Sequence, residues 1–393
     1  MKNVKMKVAL LTTSDFPYHG APESFVRQLA LGLHENGVNI EVIRFWGDRY
    51  SCHNNLPIKC SNYLFRKPFK NDLIKFFETF LQILFIPFFM AYRRFFKMDQ
   101  ILLFYGLDRA YFVFPATIFC KVFRLKSFRI ITEIYPNYLY ASKWWRKPNI
   151  LFNKWQIKYF DRYLSGVVVL SSKLQNLLVE NKVRKEKIIL IPHFIDLNTA
   201  SSVSKTVNNS KSRIGFCGNP SIENGVIDLV QAFLLLLQAS KQQLELIIIG
   251  KISPVIENAI YKIINGNKQI IFTGLLSKEE VVNELDKCDV LVSPRKSGVL
   301  AETGFPTKIG EYFAARKPVV ATKVGDLQYY FTDKKELVFA EPNNTHSIFE
   351  ALSFLINNKA KALEIAQNGY SWAENNLAYL NNTKKLIGFL ETK

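Results

Sequence analysis

Between Asp289 and Thr322 the sequence passes through strand, loop, helix and strand, and that order leaves few folds open to the chain. Val290-Leu291-Val292 is a short apolar run ended by Ser293-Pro294, the pattern of a buried strand. A polar loop is expected from Arg295 to Gly304. A helix opens near Pro306, since proline is favoured in a first turn where its missing N–H would be unpaired anyway. Ile309, Tyr312 and Phe313 fall at helical spacing and give that helix a packing face. Lys317-Pro318 stops it, and Val319-Val320-Ala321 is the next strand. The loop therefore sits at the carboxyl end of a strand, where open α/β sheets bind their ligands.

The chemistry available at that junction follows from the residue types. A helix start offers unpaired N–H groups and the positive end of a dipole, which suits a phosphate. Thr307 adds a hydroxyl and Lys308 a full charge. Glu311 is three residues past Lys308 and shares its helix face. Its carboxylate has two acceptor oxygens for a vicinal diol such as a ribose. Diphosphate on the helix start and ribose one turn later describe a nucleoside diphosphate site. The competing interpretation is that Lys308 and Glu311 are only a solvated pair on a helix surface.

The segment resembles the donor-sugar loop of retaining GT-B glycosyltransferases of the family 4 type. In that family Pro-Ser and a short loop lead to a glutamate, seven residues, a second glutamate, then Ala and Gly-x-Pro-Val-Val. The second glutamate falls on Glu311, and Lys317-Pro318-Val319-Val320 matches the end of the pattern. Eight residues separate Glu302 from Glu311, so the counterpart of the first glutamate is Thr303. The run Ala301-Glu302-Thr303-Gly304-Phe305-Pro306-Thr307-Lys308 is similar to a form that many bacterial members carry, and by that likeness Thr303, Gly304 and Phe305 join the donor site.

At 393 residues the chain has room for two domains of ordinary size. With 22% charged residues and nearly half apolar, it is globular. The five cysteines are odd in number and contain no Cys-x-x-Cys, which argues against a disulfide framework or zinc site and fits a reducing cytosol. The opening Lys7-Val8-Ala9-Leu10-Leu11-Thr12 is too short for a signal peptide core and reads as a first strand.

The net charge of +19 is unevenly spread. Residues 1–200 hold 30 Lys and Arg against 14 Asp and Glu, while residues 201–393 hold 22 against 19. An anionic partner is implied for the first half only, either a nucleic acid or an anionic membrane surface. Ten of the 32 phenylalanines lie between Phe65 and Phe96, flanked by basic residues. The apolar run there is too short to cross a bilayer and is interrupted by Pro87, so it either lies in a membrane interface or is a buried helix with a basic rim. No nucleic-acid module is recognisable, which favours the membrane.

Residues 6–45 read as strand, loop, helix, strand. The turn His19-Gly20-Ala21, with Glu23 beyond it, resembles the family's cleft-facing Gly-Gly-Ala-Glu turn. Gly20 would let an acceptor approach the backbone, and His19 is either a ligand-facing polar group or a loop histidine with no role. The strand at 128–133 leads to Glu133, which can orient or deprotonate an acceptor hydroxyl or serve as a structural strand-end carboxylate. Residues 197–212 are nearly free of apolar side chains and read as a linker. Beyond it, Gly218 closes a strand, and Asn219 and Asn224 stand where the family has a phosphate-gripping Arg and Lys. Lys251, Arg295 and Lys308 are the cations left to meet the diphosphate. Ile270 to Glu280 matches the strand and loop whose backbone meets the nucleobase, with Leu276 at that contact. Ser277 and Glu280 form a capping box, which gives Glu280 a structural task.

The expected fold is α/β, the GT-B arrangement of two doubly wound Rossmann-like domains facing a cleft. The expected boundaries are an acceptor-side domain over 1–196, a linker over 197–212, a nucleotide-sugar domain over 213–370, and a last helix over 371–393 crossing back. The resemblance implies sugar transfer from a nucleoside diphosphate sugar to a hydroxyl, with retention, no metal and no cofactor beyond the donor itself. Glu302 is the one obvious nucleophile candidate, although the family is thought more often to react on one face without one. The acceptor is expected to be lipid-linked or an envelope glycan, and the location cytoplasmic on the inner face of the plasma membrane. A different class remains open: a catalytically weakened GT-B scaffold that binds a membrane or partner, motivated by Asn219 and Asn224.

Overall fold

The computed structural model describes residues 6–13, 21–44, 57–62, 80–81, 83–97, 100–106, 110–134, 147–197 and 211–393. The chain divides into two compact units, Met1–Phe194 with Tyr379–Lys393, and Ile195–Ala378.

Among the described residues the first unit is built on seven strands, β1 (Lys7–Thr12), β2 (Asn39–Arg44), β3 (Lys59–Asn62), β4 (Ile101–Tyr105), β5 (Lys126–Ile131), β6 (Gly166–Val169) and β7 (Ile188–Leu190). They lie in the order β3-β2-β1-β4-β5-β6-β7, and every neighbouring pair is parallel. Strands this apolar suit a sheet covered on both faces. Ala9, Leu11, Leu102 and Phe104 point to one face and pack against the helices Ile86–Phe95 and Ala110–Val122. Elsewhere in this unit the helices Ala21–Glu35 and Tyr379–Thr392 touch so closely that a Cβ at Gly32 would press into Thr383. Asn36 Nδ2 donates to Thr383 Oγ1 at 2.9 Å, and Asn382 Nδ2 donates to the His193 carbonyl at 2.7 Å. These bonds fix the C-terminal helix on this unit.

The described residues of the second unit form six strands, β8 (Ser212–Cys217), β9 (Leu244–Ile249), β10 (Ile270–Gly274), β11 (Val290–Ser293), β12 (Val319–Thr322) and β13 (Val338–Ala340). Their order is β10-β9-β8-β11-β12-β13, and the named pairs are again parallel. Both sheets are doubly wound. In the second, the direction of winding reverses between β8 and β11, the topological switch point at which such sheets bind ligands.

Local departures from the expected elements have identifiable causes. The expected loop over 295–304 contains a short helix, Val299–Thr303. Buried Ala301 anchors it, Thr303 Oγ1 bonds back to the Val299 carbonyl at 2.7 Å, and Gly304 ends it. The helix after β8 begins only at Val226, because Gly225 holds the left-handed cap position at φ +70. Trp372 remains in the second unit, its ring 4.5 Å from that of Phe331, and the helix of the first unit begins only at Tyr379. Ser277 and Glu280 form the reciprocal capping box. Most of the expected linker, 198–210, lies outside the described residues.

Candidate functional site

The site starts from the ends of β8 and β11. The helix Thr307–Ala314 follows β11 through the short helix and is held over both strand ends by one side chain. Buried Tyr312 accepts at its hydroxyl from the Cys217 N–H at 2.9 Å and lies 3.3 Å from the Cys217 carbonyl and 3.4 Å from the Val292 carbonyl. Burial pushes the Tyr312 phenol well above its ordinary pKa, so it remains a donor to one of those two oxygens. Tyr312→Phe would leave the buried Cys217 N–H unsatisfied and cost about 1–3 kcal/mol, read as a lowered urea midpoint.

This staple places Lys308 beside Gly218. A Cβ at Gly218 would lie 3.6 Å from Lys308 Cε. Lys308 Nζ pairs with Glu311 Oε2 at 2.8 Å, and the two side chains are 30% and 34% exposed. The pair is thus neither sealed in the core nor fully solvated. Burial works to lower the Lys308 pKa, but the Glu311 charge and the Cys217 sulfur outweigh it and hold the ammonium above its ordinary value. Lys308 has three N–H donors and Glu311 about four lone-pair sites, so their mutual bond leaves both able to take further partners.

The loops around this pair are knitted together. Lys296 N donates to the Glu223 carbonyl at 2.9 Å. Thr322 Oγ1 donates to the Arg295 carbonyl at 2.6 Å, which ties the half-buried Arg295 to the end of β12. Asn224 Nδ2 donates to the Asn219 carbonyl at 2.9 Å, so the two asparagines shape the loop after β8. A Cβ at Gly250, whose φ is +144, would fall on the Gly218 carbonyl oxygen, and only glycine fits there. Gly250 N also bonds the Gly274 carbonyl at 3.0 Å. Gly218, Gly250 and Gly274 thereby bring the ends of β8, β9 and β10 together as a low rim of bare backbone.

Of the expected site residues, Gly218, Thr307, Lys308 and Glu311 gather at the switch point. Lys251 is exposed just past Gly250, and Leu276 is half-buried two residues past Gly274, farther along the same rim. Glu302 is half-buried on the short helix. The side chains of Thr303 and Phe305 are committed elsewhere: the Thr303 hydroxyl bonds within its own helix, and Phe305 is buried with its ring 6.1 Å from that of Tyr330. Gly304 lies between them at the end of the short helix, buried. Glu133 belongs to the first unit, half-buried two residues past β5. His19 and Gly20 lie outside the described residues. Sequence reasoning did not assign Tyr312 and Gly250 to the site. The signal for the second was present, since Cys217-Gly218, Ile249-Gly250 and Thr273-Gly274 all end apolar runs in glycine.

The chain has the two-sheet α/β fold of the GT-B glycosyltransferases. The crystal structure of Anabaena HepE in complex with UDP and glucose superposes with a TM-score of 0.74, covering 99% of this chain and 100% of that one at 14% identity. A glycosyltransferase from Rickettsia africae gives 0.74 at 18% identity, over 99% of this chain and 98% of that one. WaaG, a glycosyltransferase involved in lipopolysaccharide biosynthesis, gives 0.69 at 12% identity, over 98% and 99%. In sequence, residues 199–372 match the model of the family described as glycosyl transferases group 1. An uncharacterized glycosyltransferase of Methanocaldococcus jannaschii is 29% identical over 232 residues, which are 57% of this chain and 60% of that protein.

Proposed function

We propose that the chain is an enzyme that transfers a sugar from a nucleoside diphosphate sugar to a hydroxyl, with the donor held by the second unit. The observation that carries this reading is the Lys308–Glu311 pair beside Gly218 at the switch point of the second sheet. The diphosphate is met by the start of the helix Thr307–Ala314, by Lys308 and by Arg295, a fixed electrostatic arrangement that stabilises the leaving charge without a metal. Lys251 supplies a further cation from the rim. The bare backbone past Gly274, with Leu276, receives the base, and Glu311 takes the ribose. Transfer proceeds with retention on one face of the sugar, with Glu302 as the carboxylate nearest in sequence to the donor loop. Glu133 orients the acceptor hydroxyl, and the acceptor is a lipid-linked or envelope glycan.

The test is thermal stabilisation by UDP, GDP, ADP, CMP and TDP. UDP heads the panel because the HepE crystals hold it. One nucleotide at about 100 times its dissociation constant should stabilise the chain by about 2.7 kcal/mol. A second reading, a scaffold that has lost donor binding, draws on the uncharged Asn219 and Asn224 and their use in shaping the loop. It is the outcome if no nucleotide shifts the transition.

A further inference from the structure

The helix Ile86–Phe95 packs Ile86 and Met90 into the core with Phe89 against them, yet leaves most of its other aromatic surface outside. Its buried residues are Ile86, Met90 and Arg93. Phe88 is 72% exposed, Phe95 65% and the following Phe96 79%. A surface helix normally buries its aromatic side and gives its cations to water. Here Arg93 is fixed inside, its NH1 2.8 Å from Glu41 Oε2 on β2, and Glu41 also accepts from Ser61 Oγ on β3 at 2.8 Å. Burial pushes the Glu41 carboxyl up, but the Arg93 charge and the two hydrogen bonds hold it below its ordinary value. The helix cannot roll its phenylalanines inward without stranding that buried pair.

The apolar strip does not stop at this helix. Phe95 meets Phe123 edge-on at 6.3 Å. On the adjoining helix Ala110–Val122, Ile118 and Val122 are exposed, and on the next, Lys147–Trp155, Leu151 and Trp155 are exposed. These three helices and the turn Gln156–Phe160 contain no Asp or Glu. Arg94, Lys121, Lys154 and Lys158 are all exposed on them. A partner for such a face has to be apolar and anionic at once.

We propose that this three-helix face of the first unit is a docking surface for an anionic lipid bilayer, with Ile86–Phe95 lying in the interface. Phenylalanines enter the headgroup boundary while lysine and arginine reach the phosphates, the division expected of an interfacial helix. A helix of ten residues is about 15 Å long, half of a bilayer core. Among the described residues no helix is long and apolar enough to cross a membrane. The proposal goes beyond the transfer reaction and does not depend on it, since it concerns helices of the first unit alone.

The experiment is flotation of the full chain, without donor or acceptor, with vesicles of phosphatidylcholine alone or mixed with phosphatidylglycerol. The chain should float with the mixed vesicles, not with the neutral ones, and release as salt is raised. Phe88→Ser, Phe95→Ser and Phe96→Ser combined should weaken binding by more than about tenfold. Lys121→Gln and Lys154→Gln should each weaken it by about fivefold. All of these residues are exposed, so the variants should keep the wild-type thermal transition. Equal binding to both vesicles, binding to neither, or binding unchanged in both variant sets would overturn the proposal. So would a lipid-free dimer, seen by light scattering, that the phenylalanine variants dissociate, because the face would then belong to a second copy of the chain.

Discussion

Replacing Glu311 by alanine should lower kcat/KM for the nucleotide sugar by about two to four powers of ten. The carboxylate is proposed to accept two ribose hydroxyls, and a hydrogen bond to a charged group is worth about 1.5–3 kcal/mol. Two of them amount to about 3–6 kcal/mol, at about 1.4 kcal/mol per factor of ten. The change also removes the partner of Lys308. With the Glu311 charge gone, the burial that opposes the Lys308 ammonium meets less resistance, and the cation beside Gly218 loses the contact that positions it. Nucleotide affinity should fall in parallel with kcat/KM, because the ribose is held in ground state and transition state alike. Glu311→Gln keeps one acceptor oxygen and should fall between wild type and alanine. A merely solvated pair on a helix surface predicts something else: about 0.5 kcal/mol of stability and no more than a few-fold in kcat/KM. Steady-state kinetics over a donor titration, with nucleotide binding measured beside it, separates the two.

The second sheet was legible because its strands are short runs of Ile, Val and Leu ended by glycine or proline, and because a lysine and a glutamate one turn apart follow the helix start. The helix Val299–Thr303 was not, since its five residues depend on a buried alanine and a bond from Thr303 that no periodicity announces. Tyr312 read only as a packing residue. Its second task, bonding the end of β8, depends on a strand ninety-five positions earlier in the chain. The orientation of Ile86–Phe95 was open for a different reason. A segment with phenylalanine on most sides carries no apolar stripe to mark the core, so only the tertiary bond from Arg93 to Glu41 decides which side faces out. The same holds for the asparagines after β8. As sequence they are missing cations, and in the structure they are the bond that closes the loop.

Arg129→Met should destabilise the first unit by about 3–5 kcal/mol, the cost of breaking a buried ion pair from one side. Arg129 is 2% exposed on β5 and Asp161 is fully buried. The guanidinium NH1 contacts both Asp161 oxygens, at 3.1 and 2.8 Å, and NH2 donates to Asn153 Oδ1 at 2.7 Å. Gln156 Nε2 donates to Asp161 Oδ1 at 2.8 Å. This network fastens the helix Lys147–Trp155 and the turn after it to the sheet, so that Arg129, like Arg93, is a buried arginine anchoring the three-helix layer. Burial already pushes the Asp161 carboxyl upward against the pull of Arg129. Methionine removes that pull and leaves the carboxyl to protonate or to draw in water. The double change Arg129→Met with Asp161→Leu should recover most of the loss, because no charge then remains to be desolvated. Urea unfolding of the two variants gives the coupling energy, and hydrogen exchange along β5 and Lys147–Trp155 locates it. Were the single variant to lose less than about 1 kcal/mol, in the range of an exposed pair, the network would be an incidental contact, and the anchoring of the layer would need another cause.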